Sequence, residues 1–255
     1  MFGAIVGDIV GSVFKFDEQR TKNFELFDVR GHFSDETIMT IAVRNILKSY
    51  IESGKKIDFE AELQEELLRL AWIYPNLSYS RSFSAWMFDE DPKPVPSAGL
   101  GCAVRVSGCA EYATSLSEAE EYAQMQAKVT HTHVEGIKGA KCVAAAIYLA
   151  KEKQSKDEIK KYIEANYYPL EFNYIAARRQ YKRSGLCPQT VPVALMAFLE
   201  GENFEDCVRS AIGMGGSEAM AAIAGSIAEA YYGVPQDIKE RAILYLDDEL
   251  RSSLE

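Results

Sequence analysis

Apolar residues recur along this chain at helical spacing. After Ser34-Asp35-Glu36-Thr37 come Met39, Val43, Ile46, Leu47 and Tyr50, at i, i+4, i+7, i+8 and i+11, one stripe that predicts an amphipathic helix beginning at the acidic tetrad. Leu63, Leu67 and Leu70 repeat the pattern. Ser117-x-x-Glu120 and Thr132-x-x-Glu135 have the form of capping boxes, in which a hydroxyl and a carboxylate satisfy each other's backbone donors. They predict one helix carrying Tyr122 and Met125, and another carrying Ile137, Ala140, Ala144 and Ile147. Pro192, soon after Thr190, suits a first helical turn ahead of Leu195, Phe198 and Leu199. Met220, Ile223, Ala224, Ile227 and Tyr231 form a further stripe, stopped by Gly233 and Pro235, and a last helix carries Ile238, Ala242, Tyr245 and Leu246. No convincing period-two alternation competes with these stripes, so the expected fold is all-α. Residues 1–255 show no linker-like shift in composition and no internal repeat, and read as a single domain.

Two long connections break the helical pattern, Val13 to Phe33 and the proline- and glycine-rich Asp89 to Ser107. Compact domains keep such loops mainly where they line a site. A net charge of -10 repels polyanions, which argues against a nucleic-acid partner. The nearest basic group, Arg178, Arg179, Lys182 and Arg183, reads as a solvated helix face. No apolar run reaches membrane-spanning length. Five scattered cysteines with no C-x-x-C pair read as free thiols, and the expected setting is a reducing cytoplasm.

Four segments carry candidate chemistry. In Gly7-Asp8-Ile9-Val10-Gly11-Ser12 the glycines permit close packing or ligand approach, and Asp8 is free to cap, ligate or orient a water. Ser34-Asp35-Glu36-Thr37 offers hard oxygen ligands suited to Mg²⁺, and equally an ordinary helix N-cap with acids placed well against the helix dipole. Gly213-Met214-Gly215-Gly216-Ser217-Glu218 is a glycine-rich turn feeding a helix, either a plain connection or an anion site to which Glu218 adds a metal ligand. The histidines of Thr130-His131-Thr132-His133 stand at i and i+2, which does not suit a helical zinc pair; substrate contact or structural hydrogen bonding fits better.

Taken in order, these segments resemble the ADP-ribosylglycohydrolase family. The resemblance runs through Gly3-Ala4-Ile5-Val6-Gly7-Asp8, Ser34-Asp35-Glu36-Thr37-Ile38-Met39, Gly101-x-x-x-Arg105-Val106-Ser107, Thr130-His131-x-His133-x-Glu135-Gly136, Cys187-x-x-Thr190-Val191-Pro192 and the segment Ala221 to Ala228, nearly the whole chain. It implies a compact, orthogonal helical bundle whose cleft holds two Mg²⁺ ions, with a carboxylate helping water attack the anomeric carbon of an ADP-ribosyl group. Carried over by motif, Ser34, Asp35, Glu36 and Glu218 are the expected metal ligands, and Asp35, Glu36 and Asp8 the expected catalytic carboxylates. Gly101, Arg105, His133, Gly215, Gly216 and Ser217 are the expected ligand contacts. The implied partner is an ADP-ribose-type small molecule or an ADP-ribosylated protein.

Several positions depart from the family pattern. Glu36 replaces the usual second aspartate. The late motif, usually Gly-Gly-Asp-x-Asp-Ser/Thr, reads Gly215-Gly216-Ser217-Glu218-Ala219-Met220 and lacks its first aspartate. Lys15 stands where a glutamate is usual, and Leu100 replaces the asparagine of Gly-Asn-Gly. At least one metal is therefore expected to bind poorly, with the Lys15 ammonium repelling it or standing in for its charge. Two readings remain open: a hydrolase of glycosidic bonds to ADP-ribose with an altered metal site, and a catalytically impaired homologue that binds such a ligand or regulates a partner.

Overall fold

A computed structural model of the chain describes residues 1–170 and 174–254, and the regular structure among them is entirely helical. The first half comprises α1 (Phe2–Ser12), α2 (Asp35–Glu52), α3 (Phe59–Ile73), α4 (Arg81–Met87), α5 (Gly101–Val104), α6 (Ser107–Tyr112) and α7 (Leu116–Lys128). The second comprises α8 (Val134–Lys151), α9 (Lys156–Asn166), α10 (Tyr174–Gln180), α11 (Cys187–Glu200), α12 (Phe204–Gly213), α13 (Glu218–Tyr232), α14 (Gln236–Ile243) and α15 (Asp248–Ser252). Strand-like pairing among the described residues is confined to isolated bridges, Val95 with His131 and Gly99 with Leu186.

One hydrophobic cluster draws on nearly every helix, with α8, α11 and α13 buried on almost all sides. Helix α1 is buried from Gly3 to Ser12 and so has no polar face for a stripe to stand against. Its glycines recur every fourth residue and press against α13. A Cβ at Gly3 would overlap the Gly225 carbonyl, and one at Gly7 the Ala221 carbonyl. A Cβ at Gly11 would lie 2.5 Å from Cα of Glu218. Glu229 of α13 fixes the start of α1 by accepting from the Met1 amine and from the amides of Phe2 and Gly3 at 2.6–3.1 Å. This contact sets the two candidate motifs, one following α1 and one opening α13, side by side.

Several local expectations need correction. Helix α7 is capped by Ser115, whose hydroxyl accepts from Glu118 N, rather than by Ser117 with Glu120; the apolar stripe is unchanged by the two-residue slip. At α8 the cap is the His133 ring, accepting from Glu135 N at 3.1 Å, rather than Thr132. Pro192 sits inside α11, which starts five residues earlier at Cys187 with Pro188 in its first turn. The second long loop is cut short by α5 and α6, and the last predicted helix ends at Ile243 before a separate short α15. Helix α13 ends at Gly233 as expected, with φ of 80°.

Candidate active site

The N-termini of α2 and α13 open onto one cavity of about 560 Å³, within the range of small-molecule sites. Asp35, Glu36 and Glu218 all line it, so the acidic tetrad and the late glycine turn meet in the folded chain. All three carboxylates sit in first helical turns, where the positive end of the helix dipole favours negative charge. The bonds are made below this floor. Asp8, fully buried in α1, accepts from Ser34 N at 2.8 Å, Ser34 Oγ at 2.6 Å, Thr37 N at 3.1 Å and Thr37 Oγ1 at 2.5 Å. It therefore holds the first turn of α2 from beneath, and it does not line the cavity. Burial raises the Asp8 carboxyl to about 6, against the pull of those donors.

The carboxylates that line the cavity are arranged differently. Lys15 Nζ lies 2.6 Å from Glu218 Oε1, while Glu218 Oε2 is buried with no hydrogen-bond partner. Burial raises Asp35 to about 7, with the Asp8 charge adding to it and Lys15 opposing. Glu36 is pushed well above the ordinary glutamate range, first by burial and then by Asp35, Asp8 and Glu218. Burial alone would lower Lys15, but Glu218, Asp35 and Glu36 outweigh it and hold the ammonium above its usual range. Lys15 therefore carries its charge at neutral pH and faces all three cavity carboxylates.

Arg183 locks this arrangement. Its guanidinium donates to the carbonyls of Lys15 at 2.6 Å, Gly215 at 3.1 Å and Gly216 at 3.2 Å. The basic group Arg178, Arg179, Lys182 and Arg183 was expected as a uniformly solvated face; Arg183 instead turns inward and lines the cavity. Arg20 supports the same turn by donating to Met214 O at 2.8 Å, and a Cβ at Gly215, where φ is 92°, would collide with its guanidinium.

The expected ligand contacts divide. Gly101, Arg105 and Ser217 line the cavity, whereas Gly215 and Gly216 are buried behind it with their carbonyls spent on Arg183. Arg105 is buried and commits Nε and Nη2 to Gln126 Oε1, Gln126 O and Thr130 Oγ1 at 2.7–3.0 Å. His133, expected in the cleft, is exposed on the outside as the α8 cap. His131 lines the cavity instead, because pairing of Val95 with the Thr130–Thr132 backbone turns it inward, and Thr130 Oγ1 meets its Nδ1 at 2.7 Å. Sequence reasoning also missed the aromatic wall formed by Tyr79, Phe83 and Trp86; the Trp86 Nε1 donor is buried without a partner. The serine-rich stretch Ser78 to Ser84 around two of these rings gave little helical signal.

The magnesium ligand set does not reproduce the one implied by the resemblance. The Ser34 hydroxyl donates to Asp8 and accepts from Glu36 N, and Glu218 shares its carboxylate with an ammonium. No group of three His, Cys, Asp or Glu side chains among the described residues converges closely enough to hold a metal ion. These donors do not fit a two-magnesium centre, which needs near-octahedral oxygen at about 2.0–2.1 Å from each ion.

Comparison with known proteins places this geometry in context. The ADP-ribosylglycohydrolase family model matches residues 1–254. ADP-ribosylarginine hydrolase Tri1 of Pseudomonas putida (strain GB-1) is 25% identical over 268 residues, covering 92% of this chain and 70% of that protein. A solved structure described as an ADP-ribosylglycohydrolase-related protein complex superposes with a TM-score of 0.70 at 20% identity, covering 98% of this chain and 92% of that one. At that identity the match bears on the fold.

Proposed function

The chain belongs to the ADP-ribosylglycohydrolase family, and on that premise we propose that it hydrolyses a glycosidic bond to ADP-ribose in the cavity between α2 and α13. The observation that carries this reading is the meeting of Asp35, Glu36 and Glu218 on one cavity floor. Two neighbouring carboxyls, Asp35 raised to about 7 and Glu36 raised well above the ordinary glutamate range, divide naturally into a base and an acid, since like charges at close range do not both ionise readily.

In this reading the ionised member of the Asp35–Glu36 pair takes a proton from water as its oxygen attacks the anomeric carbon. The protonated member gives its proton to the leaving nitrogen or oxygen as the glycosidic bond breaks. Free ADP-ribose and the unmodified acceptor are the products. Glu218 Oε2, the unserved acceptor, would receive a hydrogen bond from a ribose hydroxyl. Lys15 stabilises negative charge that the pair acquires. Asp8 acts through α2, fixing the direction of its first turn, and is a positioning residue.

The Lys15–Glu218 ion pair also favours a second reading, in which the cavity binds an ADP-ribose-type ligand and turns nothing over. A hydrolysis assay on ADP-ribosylated arginine and serine peptides separates the two. The hydrolase reading expects release of ADP-ribose, reduced about 10² to 10⁴-fold in Asp35→Asn. Saturable binding with no release beyond the uncatalysed rate would establish the binding protein in its place.

A further inference from the structure

We propose that the Lys15 ammonium is the resident cation of this centre, taking the position that a divalent metal would otherwise occupy between the two acidic motifs. The inference uses the reading above only in treating the cavity as the ligand site. Three independent observations carry it. Lys15 Nζ sits 2.6 Å from Glu218 Oε1 and faces Asp35 and Glu36 from the other motif, so one charge serves both halves of the floor. Arg183 pins the Lys15 carbonyl with one nitrogen and the Gly215 and Gly216 carbonyls with the others, so the same guanidinium fixes both sides of the ion pair. The Ser34 hydroxyl is turned down to Asp8 and away from the cavity.

The consequence for cations follows from charge and from coordination. A half-buried ammonium already bound to the carboxylate repels a second cation, because screening inside the cavity is weaker than in bulk water. An ammonium also satisfies carboxylates with hydrogen bonds at nitrogen–oxygen distances near 2.8 Å, without the octahedral shell that magnesium demands. Ligand binding in this cavity is therefore independent of divalent cations. Replacing Lys15 by an acid converts the floor into a net acceptor of them.

The test is a titration of the full chain with Mn²⁺, followed by the paramagnetic resonance signal of the free ion, and with Mg²⁺ by calorimetry, for the wild type, Lys15→Gln and Lys15→Glu. The proposal expects no binding to the wild type at millimolar cation and no change in its melting temperature between magnesium and chelator. Lys15→Glu is expected to bind Mn²⁺ and to gain melting temperature as the ion is added. Lys15→Gln is expected to bind at least about tenfold more weakly than Lys15→Glu, and it keeps the comparison available if the acid variant fails to fold. Stoichiometric Mn²⁺ binding by the wild type that is lost in Asp35→Asn would overturn the proposal. ADP-ribose titrated in the same two buffers is expected to bind the wild type with affinities within about twofold. Its failure to bind in either buffer would remove the hydrolase reading, while the metal titration still decides the role of Lys15.

Discussion

Asp8 of α1 and Glu218 of α13 are both buried carboxylates on two helices packed together, yet they are served in opposite ways. Asp8 accepts four hydrogen bonds, all from α2 and its cap, and has no access to the cavity. Glu218 has one oxygen on Lys15 and the other on nothing, and it lines the cavity. A saturated buried carboxylate fixes architecture, because its donors would be stranded without it. A half-served one stores a desolvation cost that an incoming hydroxyl relieves. The difference separates two acids that the family resemblance assigns to one centre, Asp8 as a catalytic carboxylate and Glu218 as a metal ligand.

The largest expected effect comes from breaking the saturated side. Asp8→Ala strands two buried amides and two hydroxyls at about 1–3 kcal/mol each before relaxation, so denaturant unfolding is expected to show a loss of about 3 kcal/mol or more. Glu218→Ala removes no such set of donors and is expected to leave stability nearly unchanged. Equal losses in the two variants would erase the distinction.

Next comes the pH response of the open side. Because Asp35 is raised to about 7, its ionised form is depleted as pH falls below that value, and kcat/KM is expected to decline on the acid side with a midpoint near 7. Lys15 opposes that rise, so Lys15→Met is expected to move the midpoint to higher pH. A midpoint that stays still or moves downward in this variant contradicts the arrangement of charges.

The contact that joins the two sides is tested by Gly7→Ala. Its added methyl meets the Ala221 carbonyl, a backbone atom that cannot swing away, and a loss of about 1–3 kcal/mol in thermal or denaturant unfolding is expected. The smallest effect lies far from the cavity. Glu118 is held down to about 2 by Lys55, with help from Thr114 and Tyr122. Its contribution is thus present above the ordinary glutamate range and lost as pH falls toward 2. Glu118→Gln is expected to narrow the stability gap between pH 7 and pH 2, by less than about 1 kcal/mol because its partner Lys55 is exposed.

Much of this molecule was legible before any coordinates, and the failures have physical causes. Helices α2 and α3 declare themselves because each keeps a wetter polar face beside its dry one, α13 because its apolar stripe is closed by Gly233, and Ser34 caps α2 where the acidic tetrad required. Helix α1 shows no stripe because burial on all sides erases periodicity, and its glycines carry the cue instead, the close packing they permit being made against α13. Lys15 was visible as a departure from the family pattern, but the carboxylate it would meet depended on which segment packed beside it. His133 and His131 could not be told apart by spacing, since the choice is made by a backbone bridge to Val95, a residue far away in the chain. Arg183 was misjudged for a similar reason: its partners are carbonyls, which no side-chain pattern reveals.

The central claim is that an ADP-ribose ligand occupies the cavity with its ribose at the Asp35, Glu36 and Glu218 floor. Calorimetric titration of ADP-ribose into the wild type, Glu218→Ala and His133→Ala tests it most directly. Saturable binding is predicted for the wild type, weakened by about tenfold in Glu218→Ala and unchanged in His133→Ala, whose ring lies outside the cavity. Absence of binding to the wild type, or a loss in His133→Ala that Glu218→Ala does not show, would contradict it.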